Sequence, residues 1–258
     1  MCYFLSLIVK KDGEIIYDPN TMSHEDLIEK AGLKDDTADK EKMEFARVEV
    51  LPPNGDYFET DLLKWFVKVD ESITPTWLET KHEKACLDLL EKVYKDHIHI
   101  NENIKEINSG VHFIKDCKVE SIYGSAKVRY IYDSAKVGYI YGSAEVGSIS
   151  GSAKVGYIYG SAKVGYIYGS AKVGYIYGSA KVGSIYGSAK VESIYDSAKV
   201  GYIYGSAKVG SIYDSAVILS ITNISNIKKY SGKVILIDRG KNIIYSAFNF
   251  EIKIKENL

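Results

Sequence analysis

A chain of 258 residues, 46% apolar and 26% charged, is long enough for one or two packed domains, and its formal net charge of −1 marks no preference for acidic or basic partners. That balance hides a split: residues 1–111 carry 14 Lys and Arg against 24 Asp and Glu, a net of −10, whereas residues 112–258 sum to +9. Three widely spaced cysteines, Cys2, Cys86 and Cys117, make no disulfide framework, and no run approaches the roughly 18 apolar residues of a membrane span, so a reducing, cytoplasmic setting is expected.

In chain order, residues 3–9 alternate and turn at Lys11-Asp12-Gly13 into residues 14–17, the pattern of a hairpin. Ser23-His24-Glu25-Asp26 has the form of a helix start, and Gly32 supplies its stop. Residues 34–42 are charged and read as a loop. Strands are predicted over 46–51 and 63–69. Thr74-Pro75 then introduces a long amphipathic helix with Trp77, Leu78, Ala85, Leu89, Leu90 and Val93 on its inner stripe. Residues 1–111 are therefore expected to form a small α+β domain, with 97–109 as a linker, that caps the remainder of the chain.

From residue 112 to 228 one nine-residue unit recurs thirteen times, with the consensus Tyr-Ile-Tyr-Gly-Ser-Ala-Lys-Val-Gly. Its positions 2, 6 and 8 are Ile, Ala and Val almost throughout, while positions 1, 3, 5 and 7 are amphipathic or polar, which is strand alternation. Nine is odd, so a bend at each unit boundary must restore the phase. Position 4 is Gly, or Asp at Asp133, Asp196 and Asp214, residue types that tolerate positive φ, and a tight corner belongs there. The expected fold is mainly β: a β-solenoid of nonapeptides with Ile, Ala and Val inside, two units or 18 residues per coil, and three units per coil as the alternative. Residues 229–258 form the third segment, a β-hairpin cap that closes the coil.

With 18 residues per coil, side chains repeat in columns. One face is expected to carry Tyr123, Tyr141, Tyr159, Tyr177, Tyr195 and Tyr213, beside a shorter column of Tyr139, Tyr157 and Tyr175. The opposite face is assigned Tyr132, Tyr168, Tyr186 and Tyr204, broken by Ser150, together with an anion-facing column of Lys136, Lys154, Lys172, Lys190 and Lys208. Tyrosine columns stack on themselves and stabilise the coil, each aromatic pair adding about 0.5–1.5 kcal/mol.

No spacing points to catalysis, a cofactor or a metal. Cys2 lacks the small neighbours that an N-terminal nucleophile favours and reads as a strand residue. His97, His99, His112 and Cys117 fit no ligand spacing, and Glu25, Asp26, Asp35 and Asp36 read as a solvated acidic surface. Phosphate loops and catalytic elbows are lacking from the sequence.

The segments Met1-Cys2-Tyr3-Phe4, residues 23–30 (Ser-His-Glu-Asp-Leu-Ile-Glu-Lys), Ala46-Arg47-Val48-Glu49 and residues 63–70 (Leu-Lys-Trp-Phe-Val-Lys-Val-Asp) resemble the amino-terminal domain of uncharacterised phage and prophage proteins, and the Ser-Ala-Lys-Val-Gly units resemble the solenoids attached to such heads. The resemblance implies an accessory role in the cytoplasm of an infected bacterium and carries no catalytic residues. The rod is also similar in kind to pentapeptide-repeat proteins, some of which imitate DNA, but those use negative surfaces and this one is net positive. The expected function is that of a non-enzymatic interaction protein, presenting its Tyr and Lys columns to a protein partner or a second copy and acting against host processes or defence. The alternatives are nucleic-acid binding through lysines and tyrosines, and glycan binding.

Overall fold

The computed structural model describes residues 5–34, 39–70, 73–238, 243–248, 251–252 and 255–256, with side chains through residue 237. The chain divides into two compact units, Met1–Ile98 and His99–Leu258.

The first unit is α+β. Strands β1 (Leu5–Lys10), β2 (Ile15–Ile16), β3 (Phe45–Leu51) and β4 (Phe66–Val69) form one antiparallel sheet in the order β2-β1-β3-β4. Helix α1 (His24–Ala31) begins where the sequence places it: the Ser23 side chain accepts from the Asp26 N–H, and Gly32 ends the helix at φ 65°. Helix α1 lays Leu27 on Ile8 and Phe45 of the sheet, all three buried.

The long helix differs from expectation. Helix α2 spans Thr80–His97, after Trp77 and Leu78, and it buries His82, Cys86, Leu90, Tyr94 and His97. Ala85, Leu89 and Val93 are only partly covered. The true inner stripe follows the (i, i+4) rows of an α-helix and accepts polar residues because each finds a partner. The Glu79 N–H donates to His82 Nδ1 at 3.0 Å, the Tyr94 hydroxyl donates to Glu59 O at 3.1 Å, and His97 Nε2 meets the Tyr17 hydroxyl. The Trp77 indole instead donates to Met43 O at 2.6 Å ahead of the helix. Burial pushes the Cys86 thiol up to about 12, so this cysteine is an inert core residue at neutral pH.

The second unit is a two-sheeted parallel β-solenoid with 18 residues per coil. Sheet I holds eight strands: Asn103–Ile107, Lys118–Ile122, Lys136–Ile140, Lys154–Ile158, Lys172–Ile176, Lys190–Ile194, Lys208–Ile212 and Ile227–Tyr230. Sheet II takes the alternate strands from Ile98–Ile100 and Val111–Lys115 through Lys127–Tyr132, Glu145–Ile149, Lys163–Ile167, Lys181–Ile185, Lys199–Ile203 and Val217–Ile221 to Ile235–Asp238. Register is strict: Lys136 pairs with Lys154 and Lys154 with Lys172, and on the other sheet Lys163 pairs with Lys181. The ladder starts ahead of the consensus repeat, since Asn103–Ile107 already pairs with Lys118–Ile122 without matching the motif. At the far end Ile235–Asp238 pairs parallel with Val217–Ile221 and antiparallel with Ile243–Phe248, the antiparallel closure that the sequence suggests; its turn lies outside the described residues.

The interior is the predicted one. From Ala126 to Ile221 the Ile, Ala and Val of each unit are buried in one continuous core. The corner sits at position 4, where glycines from Gly124 to Gly205 adopt φ between 64° and 68° and Asp133, Asp196 and Asp214 adopt 55°, 55° and 59°. Corner N–H groups are satisfied by the coil below, as where Tyr159 N donates to Ile140 O at 2.9 Å and Ser161 N to Gly142 O at 3.0 Å. Phase is restored at the junction of position 9 with position 1, in mid-strand. There Val155 and Ile158, three residues apart, both point inward, so Gly156 and Tyr157 are both outside. An added Cβ at Gly156 would lie 2.7 Å from Gly138 O, so the rungs close tightly over this position.

Candidate binding surface of the solenoid

The tyrosine columns exist as drawn from the repeat. Tyr123, Tyr141, Tyr159, Tyr177, Tyr195 and Tyr213 stack along one row of corners with centroids 4.9–5.1 Å apart and planes within 9°. Tyr139, Tyr157 and Tyr175 stack on the outer face of sheet I at 5.2 Å and 13°. Tyr168, Tyr186 and Tyr204 stack along the other row of corners at 5.1 and 4.9 Å, with Ser150 interrupting the step from Tyr132. Each ring in mid-column has both faces covered by its neighbours. A column therefore presents ring edges and hydroxyls to the outside, while stacking on a base or a sugar needs an open ring face.

Crowding has an electrostatic consequence. Burial first, then the neighbouring phenols, raises the hydroxyl pKa of Tyr159, Tyr177, Tyr186 and Tyr195, and burial and nearby carboxylates act likewise at Tyr213. With a folded pKa above the unfolded value, the folded chain keeps these protons longer. Their contribution to stability is intact below roughly pH 10 and is lost as pH rises through the folded values. The expected result is a melting midpoint that falls above about pH 10, in step with delayed appearance of phenolate absorbance. A midpoint that stays flat while the phenols titrate would contradict coupling between the columns and the fold.

The lysines are not where the sequence places them. Lys136, Lys154 and Lys172 lie on the same strands and the same outer face as Tyr139, Tyr157 and Tyr175, three residues away, rather than on the opposite face. The cause is the phase slip at positions 9 and 1. Strict alternation cannot tell which sheet a unit joins, whereas the corner at position 4 delivers position 7 and the following position 1 to the same strand.

This face of sheet I carries an open groove of about 1560 Å³ along the coil axis. Its wall is the unbroken column Lys118, Lys136, Lys154, Lys172, Lys190 and Lys208, and its floor is Gly138, Gly156, Gly174 and Gly210, with Glu120 and Glu192 as the two exceptions. Among the described residues, no carboxylate lies within 4.0 Å of any of the six ammonium groups; the lysines of the solenoid that do pair are Lys115 with Asp133 at 3.6 Å and Lys163 with Glu145 at 2.8 Å. Sheet II is different in kind. Its position-7 column includes Glu145 and ends in Val217, and Glu145 is paired with Lys163.

Sheet II also shows a pattern that column counting overlooked. Its position-1 residues alternate as Tyr130, Ser148, Tyr166, Ser184, Tyr202 and Ser220 on successive rungs. The tyrosines are 38, 52 and 49% exposed, whereas Ser148, Ser184 and Ser220 are buried to 5, 8 and 8%. The signal was in the sequence, as Ser for Tyr at every second unit of one parity.

The remaining candidates scatter. His99 Nε2 lies 3.0 Å from His112 Nδ1, and His112 Nε2–H donates to Ser109 O at 2.7 Å. The Cys117 thiol donates separately to Lys115 O at 3.2 Å, and His97 belongs to the first unit. Asp26 accepts from the Thr21 hydroxyl at 2.6 Å and Glu25 from Ser23 at 3.1 Å, as part of the start of α1. Cys2, Asp35 and Asp36 lie outside the described residues. No described helix is long and apolar enough to cross a membrane.

The fold and this surface define a repeat protein of the two-sheeted parallel β-solenoid class, joined to a small α+β unit. No family model, curated protein or solved structure matches the chain.

Proposed function

We propose that the chain is a non-enzymatic interaction protein that holds an extended polyanion, a single-stranded nucleic acid, along the lysine groove of sheet I. The observation that carries it is the column of six successive lysines over a glycine floor, free of carboxylates within ion-pair distance among the described residues. Like charges one strand apart repel by only about 1 kcal/mol in water, so the column is stable without ligand. A bound polyanion would relieve that repulsion and release its own counterions. Covered tyrosine faces fit backbone contact better than base stacking, which makes the binding indifferent to sequence. The resemblance of the amino-terminal segments supports a phage or prophage accessory role within the bacterial cytoplasm.

Fluorescence anisotropy of the full chain with a labelled single-stranded oligonucleotide, repeated over a range of salt, tests this. Six phosphate contacts predict a log–log slope of about −4, and replacing Lys154 and Lys172 with Gln should flatten it by roughly 1.4. Absence of binding at low salt, or a slope unmoved by the double substitution, would refute the proposal. A second reading rests on the opposed charges of the chain, −10 over residues 1–111 against +9 for the remainder: the groove takes the acidic surface of another copy. It predicts salt-sensitive self-association in light scattering without nucleic acid, lost in the same double variant.

A further inference from the structure

The sheet order of the first unit brings together three residues that are far apart in the sequence. His24 is the first residue of α1, Glu49 lies on β3, and Asp70 comes directly after β4. Their ligand atoms all lie within 4.8 Å of one another. His24 is 1% exposed and Glu49 0%, whereas the Asp70 side chain is 40% exposed, so the cluster is buried on two sides and open on the third.

The hydrogen bonding of His24 gives the cluster its meaning. His24 Nε2 lies 3.1 Å from Val48 O. A carbonyl only accepts, so Nε2 carries the proton, and in the neutral ring Nδ1 is then a bare lone pair. That lone pair faces Asp70 Oδ2 at 3.5 Å, another acceptor. The Asp70 backbone is fixed, its N–H donating to Arg47 O at 2.9 Å, which leaves the partly exposed carboxylate to turn about its side-chain bonds beside His24. A bare ring nitrogen and two carboxylates thus converge within 4.8 Å of one another, an all-acceptor set that a metal ion would bridge.

We propose that His24 Nδ1, Glu49 and Asp70 bind one divalent transition-metal ion of the zinc or manganese type. One imidazole nitrogen with two carboxylate oxygens suits such ions better than magnesium or calcium, which prefer oxygen ligands alone. Ligands about 2.1 Å from an ion lie roughly 3–4 Å apart, which a small rotation of Asp70 achieves. The bond from Nε2–H to Val48 O is the outer-shell contact that orients a ligating histidine and fixes its tautomer. Water from the open side of Asp70 would complete the coordination. The site is independent of the lysine groove.

The test is calorimetric titration of the full chain, first stripped with a chelator, with Zn²⁺, Mn²⁺ and Mg²⁺. One equivalent of Zn²⁺ or Mn²⁺ should bind at least tenfold more tightly than Mg²⁺. Asp70→Asn, a substitution at a partly exposed side chain that leaves the fold in place, should weaken it at least tenfold, and His99→Gln should leave it unchanged. Nitrogen NMR should show the His24 ring with one proton in the metal-loaded chain. Absence of one-equivalent binding, binding that survives Asp70→Asn, or a doubly protonated His24 ring with Zn²⁺ supplied would each overturn the proposal.

Discussion

Ile158→Asp is expected to break the solenoid at its middle rungs, whereas Tyr159→Ala one residue along is expected only to loosen it. Ile158 is 0% exposed and lies in the continuous core between Ile140 and Ile176 of the neighbouring rungs. The substitution removes about 1.5–3 kcal/mol of apolar burial and leaves a carboxylate with no partner in a dry interior, a further several kcal/mol. The total exceeds ~4 kcal/mol, the range reserved for core disruption. Tyr159 has two stacking partners, Tyr141 and Tyr177, and its loss forfeits about 1–3 kcal/mol. Because each rung contacts mainly its neighbours, the damage should be local. Hydrogen exchange should show protection lost around the substituted rung and retained toward both ends. Equal destabilisation by the two variants would show that the isoleucine column is not the interior support.

Gly160→Val is the second large effect, and Gly160→Asp its built-in control. Gly160 adopts φ 67°, and an added Cβ would sit 3.2 Å from Gly142 N of the coil below. A β-branched residue in the left-handed region costs about 1–3 kcal/mol before any contact is counted. Aspartate tolerates that region, and Asp133, Asp196 and Asp214 occupy equivalent corners. At these corners the carboxylates are used: Asp196 accepts from Gly178 N at 3.1 Å, and Asp214 from Asp196 N at 3.4 Å. Thermal denaturation should rank wild type and Gly160→Asp close together and Gly160→Val well below. Valine tolerated as well as aspartate would mean that corner geometry does not limit stability.

Much of the second unit was legible because its repeat leaves few choices. Position 4 had to turn, positions 2, 6 and 8 had to be buried, and two units close a coil. What the period could not reveal was the slip in mid-strand, where Val155 and Ile158 share the inside. That slip decides which sheet receives the lysines, so five of the six wall lysines are expected on the wrong face, and Lys118, at the edge of the consensus repeat, is missed. The amino-terminal unit was legible only locally. Ser23 and Gly32 mark the ends of α1 by short-range chemistry, but the buried stripe of α2 includes two histidines and a tyrosine that a search for Leu and Val passes over. The meeting of His24, Glu49 and Asp70 depends on β3 lying beside β4 and on the docking of α1. No local spacing encodes either.

The i-to-i+18 register also limits how such a gene can lengthen. Gain or loss of one nonapeptide moves every later unit across to the other sheet, so the count matters by parity. Without residues 166–174, Lys181 and Lys199 would come after Lys154 on sheet I, and the basic spine would then run into Val217. Duplication in pairs lengthens the spine intact, and a single-unit change splices it to the other side.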